Sequence, residues 1–442
     1  MIKFNFSKSR FREIWAISYP VIIGTAIENV ISFTDTAFMG RVSETALAAA
    51  AVGSLYYMLL TMMGMGFGMG TQVLIAKRFG ENNTEELRKT FQQAVFFLTF
   101  SALLFFMLSF AFSSWIITHV LNSEGVSLLA NDFIRIRTYA IGFSYANILF
   151  RAYFIGTANT KTIAYVSLFS ATLNVFLCYI FVFGKFGIEP MGIKGAALAS
   201  LIAEGAGTLL YIYRVQSAKL NVGLLKQMRI HLTTMRELLI IALPTMLQFF
   251  ISFTAWFSFF LIIEKLGQQE LAVSNISRTV YLTVLLPLWG FGAATSSLVS
   301  IAIGEGKPQD IKSIIMHSLP LSFLCLFSLS LASYFFRENI ANIFTTDQNV
   351  SLSFQSTSLP IALGATLMSI SIILFNGIIG RGKTIHALII ETSCLVVYLA
   401  YTWFQVYHGS ATLATIWYSE VVYSIFLGTI SIFTLQRLGK QS

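Results

Sequence analysis

Long apolar stretches recur along this chain, separated by short polar segments. Ile14 to Phe38, Phe96 to Ile117 and Thr162 to Phe183 are examples, and at about 1.5 Å of rise per helical residue each is long enough to cross roughly 30 Å of hydrocarbon. Twelve such runs fall near residues 14–38, 45–75, 91–118, 133–156, 162–184, 192–214, 237–263, 270–302, 312–336, 354–379, 384–406 and 411–435. The pattern predicts an all-α integral membrane protein of twelve transmembrane helices.

The runs repeat in register. An offset of 224 residues carries Ile17 onto Ile241, Pro20 onto Pro244, Phe33 onto Phe257, Tyr57 onto Tyr281, Gly66-Phe67-Gly68 onto Gly290-Phe291-Gly292 and Gly156 onto Gly380, with no gap. Each repeat holds six helices, an even number, so both halves enter the membrane from the same side as parallel repeats. Secondary transporters are often built this way, with the substrate path between the halves. The expected organisation is an N-terminal lobe over residues 1–213, a basic cytoplasmic linker over 214–236 and a C-terminal lobe over 237–442.

Composition agrees with this reading: 56% of residues are hydrophobic and only 11% charged, against about a quarter charged in soluble domains. The formal charge of +9 raises the question of nucleic acid, but its distribution answers otherwise. With the N-terminus in the cytoplasm, twenty Lys and Arg residues, among them Lys3, Lys219 and Lys226, fall on inside segments and seven, including Arg135 and Arg137, on outside segments. That asymmetry indicates topology and contact with membrane lipid, not DNA, and predicts both termini in the cytoplasm. Cys178, Cys325 and Cys394 all lie in apolar runs and offer no extracellular disulfide. The basic start resembles the n-region of a signal peptide, but the apolar run after it is too long and lacks a cleavage site, so it is expected to remain as the first helix.

Tyr19-Pro20, Thr34-Asp35-Thr36-Ala37-Phe38-Met39-Gly40-Arg41 and Leu47-Ala48-Ala49 resemble the start of the multidrug and toxic compound extrusion family of cation-coupled antiporters. Gly156-Thr157-Ala158-Asn159-Thr160-Lys161, Gly380-Arg381-Gly382-Lys383-Thr384 and Gly192-Ile193-Lys194-Gly195-Ala196-Ala197-Leu198-Ala199 are similar to its glycine-rich turns and to the opening of its sixth helix. The resemblance covers nearly the whole chain and implies a V-shaped, two-lobed transporter without enzymatic activity or cofactor. It also implies a coupling cation bound at Asp35, assisted by an Asn on the fifth helix and an Asn or Asp four residues later. Here that pair reads Asn174 and Cys178. Sodium wants several oxygen ligands, whereas a proton needs one carboxylate, so the missing oxygen favours H+ over Na+ at Asp35 and Asn174. Family members with C-half acids carry them on the seventh and tenth helices, where this sequence has Ser252 and Ser369.

A charge near the bilayer centre costs at least about 2.5 to 3.5 kcal/mol, so each membrane acid needs a reason. Asp35 has Phe259 as its repeat counterpart and is specific to the N-terminal half. Glu28, seven residues earlier, shares its helix face about 10 Å away and is either a second proton site or a structural hydrogen bonder. Glu204, near the midplane of the sixth helix, is either a third member of this cluster or a buried structural carboxyl. Arg278 and Glu420 fall at similar depth and are expected to form a structural ion pair. Tyr57, Met58 and Met62, in a Met-rich second helix, are candidates for contact with organic cations, which aromatic and thioether side chains accommodate, and Glu391 in the eleventh, with Ser167 as its repeat counterpart, is a candidate for organic cations or for a second cation site. Gly64, Gly66, Gly68 and Gly70 are expected to permit close helix packing or bending, since no Lys-Ser/Thr follows for phosphate. Pro20 and Pro244 are expected in the first turns of their helices. No metal-ligand or nucleophile constellation appears.

The expected function is a monomeric inner-membrane antiporter that exports amphipathic, mostly cationic drugs and is reset by a proton at Asp35. A flippase for lipid-linked oligosaccharides would need a cationic cavity, for which only Arg151 and Arg278 are candidates. A membrane-embedded transferase would need catalytic residues in loops, which here are short. A channel would explain neither the acids nor the repeat.

Overall fold

An apolar segment in lipid must satisfy its own backbone hydrogen bonds, and the helix does so within one chain segment. The computed structural model describes residues 7–217, 228–408 and 412–440, and the regular structure among them is helical: α1 (Lys8–Val42), α2 (Glu44–Gly80), α3 (Thr84–Val120), α4 (Glu124–Gly156), α5 (Lys161–Phe183), α6 (Ile193–Ser217), α7 (Leu232–Glu264), α8 (Gln268–Gly304), α9 (Asp310–Phe335), α10 (Arg337–Phe344), α11 (Gln348–Gly380), α12 (Thr384–His408), α13 (Leu413–Trp417) and α14 (Ser419–Gly439). Every apolar run lies on a helix. The last is divided at Tyr418 into α13 and α14, and the short α10 has no counterpart among the runs. Among the described residues eleven spans are long and apolar enough to cross a membrane, with α13 and α14 counted together. The remaining long helix, α4, is 33 residues but carries Asp132, Arg135, Arg137 and Arg151. Lys3, Lys219 and Lys226, and much of the expected linker, lie outside the described residues.

Helix ends follow local chemistry. The Asn83 side chain accepts from the Glu86 amide at 3.0 Å to open α3, and Asp347 accepts from the Asn349 amide at 2.8 Å to open α11, each satisfying a donor with no intrahelical partner. Gly184 ends α5 in the left-handed region at φ +66°, where a Cβ would lie 2.6 Å from the Pro190 ring. Only glycine meets both demands there. Pro20 and Pro244 depart from expectation. Their helices begin at Lys8 and Leu232, so both prolines sit in helix interiors, where each removes a backbone donor from the ladder. The polar residues preceding each apolar run extend the helix beyond the membrane, which an apolar count does not detect.

The chain forms two compact units. One comprises residues 1–22, 80–82 and 247–442, and the other 23–79 and 83–246. The first part of α1 thus packs with the second repeat, and the first part of α7 with the first. Glycines make these contacts possible. In the unit holding residues 23–79 and 83–246, a Cβ on Gly66 would lie 2.6 Å from the Met246 Cα, and one on Gly70 would lie 2.5 Å from the Ala242 Cα. In the other unit, a Cβ on Gly290 would lie 2.8 Å from the Ser18 carbonyl oxygen and 2.4 Å from the Ile22 side chain. The 224-residue offset relates Gly66 to Gly290, Ala242 to Ser18 and Met246 to Ile22, so each unit builds the same close crossing from opposite repeats. Gly64 and Gly68 instead meet Tyr145 and Ile148 of α4.

The unit containing most of the first repeat has a core of Met39, Ala49, Phe133, Ile134, Cys178, Val182 and Ala197. The other has Ile14, Ile17, Phe291, Leu298, Ile314 and Ile373. Large apolar side chains also face outward, including Phe100, Phe110, Leu209, Phe327 and Phe433. Such a surface, on helices of spanning length, makes this an integral membrane protein.

Candidate functional site

The polar side chains of the first repeat converge from five helices. Asp35 lies in the last third of α1, half-buried. Its carboxyl stands beside the Cys178 thiol of α5 and the Ser200 hydroxyl of α6, with Arg137 of α4 within electrostatic reach. Four residues separate Asn174 from Cys178, so α5 presents both on one face. The Asn174 amide donates to the Ser200 hydroxyl at 3.1 Å. Ser200 therefore lies between the two residues that the sequence nominates for cation coupling. Asp35 Oδ1 and Asn174 Oδ1 are both buried without a hydrogen-bond partner, and a buried acceptor left open is costly unless something fills the place.

One turn further along α6 the chemistry changes. Glu204 forms an ion pair with Arg137 at 2.7 Å and accepts from Tyr57 at 3.1 Å and from Ser144. The Tyr57 and Ser144 hydroxyl oxygens lie 2.6 Å apart. The Arg137 guanidinium also lies 3.8 Å from the centroid of the Tyr57 ring. Tyr57, expected to face substrate, is thus 8% exposed with its hydroxyl and one ring face engaged. Arg137, expected on an outside segment, is 9% exposed inside α4. A topology count treats every arginine near the end of a run as loop, whereas Glu204 supplies the counter-charge that lets this one enter. Arg137, Ser144 and Ser200 are the members of the network that the sequence reading did not nominate. The only signal was the position of Arg137 inside the run beginning at 133.

Glu28 is likewise neutralised: it forms an ion pair with Arg151, and the Ser167 hydroxyl lies 3.5 Å from the same carboxylate oxygen. Met58 and Met62 are half-buried on α2, and neither takes part in these side-chain bonds.

In the second repeat the equivalents of Asp35 and Asn174 are Phe259 and Tyr398, whose rings lie 5.5 Å apart, with Trp417 packed edge-on against Phe259 at 5.5 Å. Aromatic packing occupies the place of the polar site. Glu420, 4% exposed, accepts from Tyr398 at 3.0 Å, and Tyr281 and Trp256 flank it. Arg278 lies instead over the rings of Trp256 and Phe260, at 5.7 and 5.1 Å. The structure does not bring Arg278 and Glu420 into the expected ion pair: the Tyr398 hydroxyl donates to the acid and aromatic faces hold the cation. Glu391, 5% exposed, accepts from Ser252 and Tyr423, each at 2.8 Å.

Among the described residues no group of three or more His, Cys, Asp or Glu could hold a metal ion. The side chains beside the Asp35 carboxyl are the Cys178 thiol and the Ser200 hydroxyl, with the Arg137 guanidinium within electrostatic reach.

Comparison with known proteins agrees with this architecture. The family model described as MatE matches residues 20–180 and again 244–404, two segments separated by the same offset that relates the repeats. The probable multidrug resistance protein NorM of Thermotoga maritima is 26% identical over 387 residues, covering 86% of this chain and 82% of the relative. That of Pasteurella multocida is 24% identical over 375 residues, covering 84% and 78%. Among solved structures, an outward-facing multidrug resistance MATE family transporter of the MOP superfamily superposes with a TM-score of 0.91 over 99% of both chains at 16% identity. A MATE protein in complex with MaL6 superposes with a TM-score of 0.90 over 98% of both at 17% identity. The architecture of long helices in two repeats and the paired family match lead to one conclusion: the chain belongs to the MatE family of transporters.

Proposed function

We propose that this protein is a secondary antiporter of a bacterial-type inner membrane, with both termini cytoplasmic, exporting amphipathic organic cations in exchange for protons. Its working halves would be residues 1–213 and 237–442 joined by 214–236, acting as a monomer. The observation that carries the reading is the contrast among the three membrane acids of the first repeat. Glu28 and Glu204 each have an arginine as ion-pair partner, whereas Asp35 has hydroxyl and thiol neighbours and an oxygen without a partner. An acid so placed can change charge without breaking an ion pair. Protonation would alter which conformation the first repeat prefers, and competition between proton and substrate would supply the coupling. One proton moving down roughly 100 mV releases about 2.3 kcal/mol, enough for modest accumulation before any pH gradient is added. The names of the relatives, multidrug resistance proteins, support the substrate class.

Cys178 favours the proton over sodium, since it replaces an oxygen ligand with a thiol. The flippase alternative loses ground on Arg151. That side chain, one of two cations available to a diphosphate headgroup, is engaged by Glu28.

The deciding experiment is efflux of ethidium or norfloxacin from energised vesicles, with proton and sodium gradients imposed separately, for wild type and Asp35→Asn. Proton-driven efflux lost in the variant is the expected result. Sodium-driven efflux would overturn the proton assignment, and no transport under either gradient would promote the flippase.

A further inference from the structure

The 224-residue offset relates Glu28 to Ser252 and Ser167 to Glu391. In the first repeat the pair is Glu28 on α1 facing Ser167 on α5 at 3.5 Å. In the second it is Ser252 on α7 donating to Glu391 on α12 at 2.8 Å. The same two helix positions thus hold one acid and one serine in both halves, with acid and hydroxyl exchanged.

What surrounds the acid differs. Glu28 is paired with Arg151, and the residue equivalent to Arg151 is Phe375, which is 2% exposed and brings no charge. The groups facing Glu391 are Ser252 from α7 and Tyr423 from α14, with Cys394 one turn along its own helix and Glu420 beyond Tyr423. Among the described residues no Lys, Arg or His is in ion-pair reach of it. Both hydroxyl donors converge on Oε1, which leaves Oε2 as the atom able to take a proton. A carboxylate in a membrane helix with no counter-charge must either acquire one or carry a proton.

We propose that Glu391 is a second proton-binding site, separate from Asp35, in which Ser252 and Tyr423 position the carboxyl through Oε1 and Oε2 takes up and releases the proton. The step is a proton transfer: an Oε2–H bond forms as a hydronium O–H bond breaks, and release of the proton to water reverses it. The function assigned to this site deepens the antiport reading and rests on it, since a second exchangeable proton allows two to move per organic cation where Asp35 alone moves one. Glu420 is also buried with no ion-pair partner among the described residues, accepting from Tyr398 at 3.0 Å with Tyr281 and Trp256 beside it, and a carbonyl band from it should survive Glu391→Gln.

The test reads protonation directly. Infrared difference spectra of the full chain carrying Asp35→Asn, which removes that site's own band, recorded in liposomes across acid to mildly alkaline pH, should contain a carboxylic acid carbonyl band that titrates. Glu391→Gln should remove it, and Tyr423→Phe, which keeps the ring and deletes one donor, should shift its frequency. A spectrum unaffected by both variants, or a Glu391 band that is present but constant with pH, would overturn the proposal and leave Glu391 as a structural hydrogen bonder. In proteoliposomes Glu391→Gln should also halve the protons moved per organic cation, and an unchanged ratio would count against the site. Failure of the wild type to transport would instead sink the antiport reading, while the infrared measurement would still decide the protonation of Glu391.

Discussion

The Arg137 guanidinium meets the Glu204 carboxylate at 2.7 Å and covers the Tyr57 ring at 3.8 Å. Two charges enter the membrane here only because they enter together, and removal of either leaves the other buried and unpaired. Arg137→Met alone, like Glu204→Gln alone, is therefore expected to destabilise the protein, the former by about 3 to 5 kcal/mol. The double variant Arg137→Met with Glu204→Gln should recover much of that loss. Thermal unfolding in detergent, analysed as a double-mutant cycle, measures the coupling. Additive effects would mean that the pair is not a unit.

Asp35 is expected to be indispensable to coupling and dispensable to folding. It has no ion-pair partner to strand, so Asp35→Asn should leave the unfolding temperature close to that of wild type while driven efflux falls to background. A variant that misfolds would show the carboxyl to be structural.

Cys178 offers a gain of function. Asp or Asn at this position would add an oxygen ligand beside Asp35 and Asn174, and under the proposed proton coupling Cys178→Asp should confer a sodium-stimulated efflux that the wild type lacks. Sodium-dependent initial rates in vesicles provide the measurement, and an unchanged response would show that position 178 does not choose the ion.

Gly66 and Gly290 test the close crossings. A Cβ on Gly66 would press on the Met246 backbone at 2.6 Å, which no side-chain rotation relieves. Gly66→Ala should therefore separate α2 from α7 and reduce transport severalfold, although alanine favours helix by about 1 kcal/mol. Gly142→Ala, with nothing within 4 Å of its Cβ, should be neutral or slightly stabilising. Equal efflux from both variants would argue that the crossing does not matter to transport.

The helices, their repeat and the family were legible in the linear chain because lipid imposes one rule on every spanning segment. A segment that satisfies its own backbone must be a helix, and a spanning helix must be apolar for about twenty residues. A duplicated chain then leaves a single offset in the sequence. Asp35 and Asn174 were legible as candidates, since an acid or amide inside such a run is conspicuous.

Tertiary structure alone decided which polar groups meet. The sequence contained Glu204 and Arg137 but assigned the arginine to a loop, because nothing in a linear pattern indicates that residues 67 positions apart lie side by side. Arg278 and Glu420 failed to pair for the complementary reason. Similar depth along two helices does not determine the rotation of either, and rotation selects a hydroxyl for the acid and aromatic faces for the cation. Hydropathy is a property of each segment taken singly, and it determines that a segment crosses. Partnership belongs to the packing of several helices at once, and only the folded chain determines which carboxyl keeps a counter-charge and which is left without one.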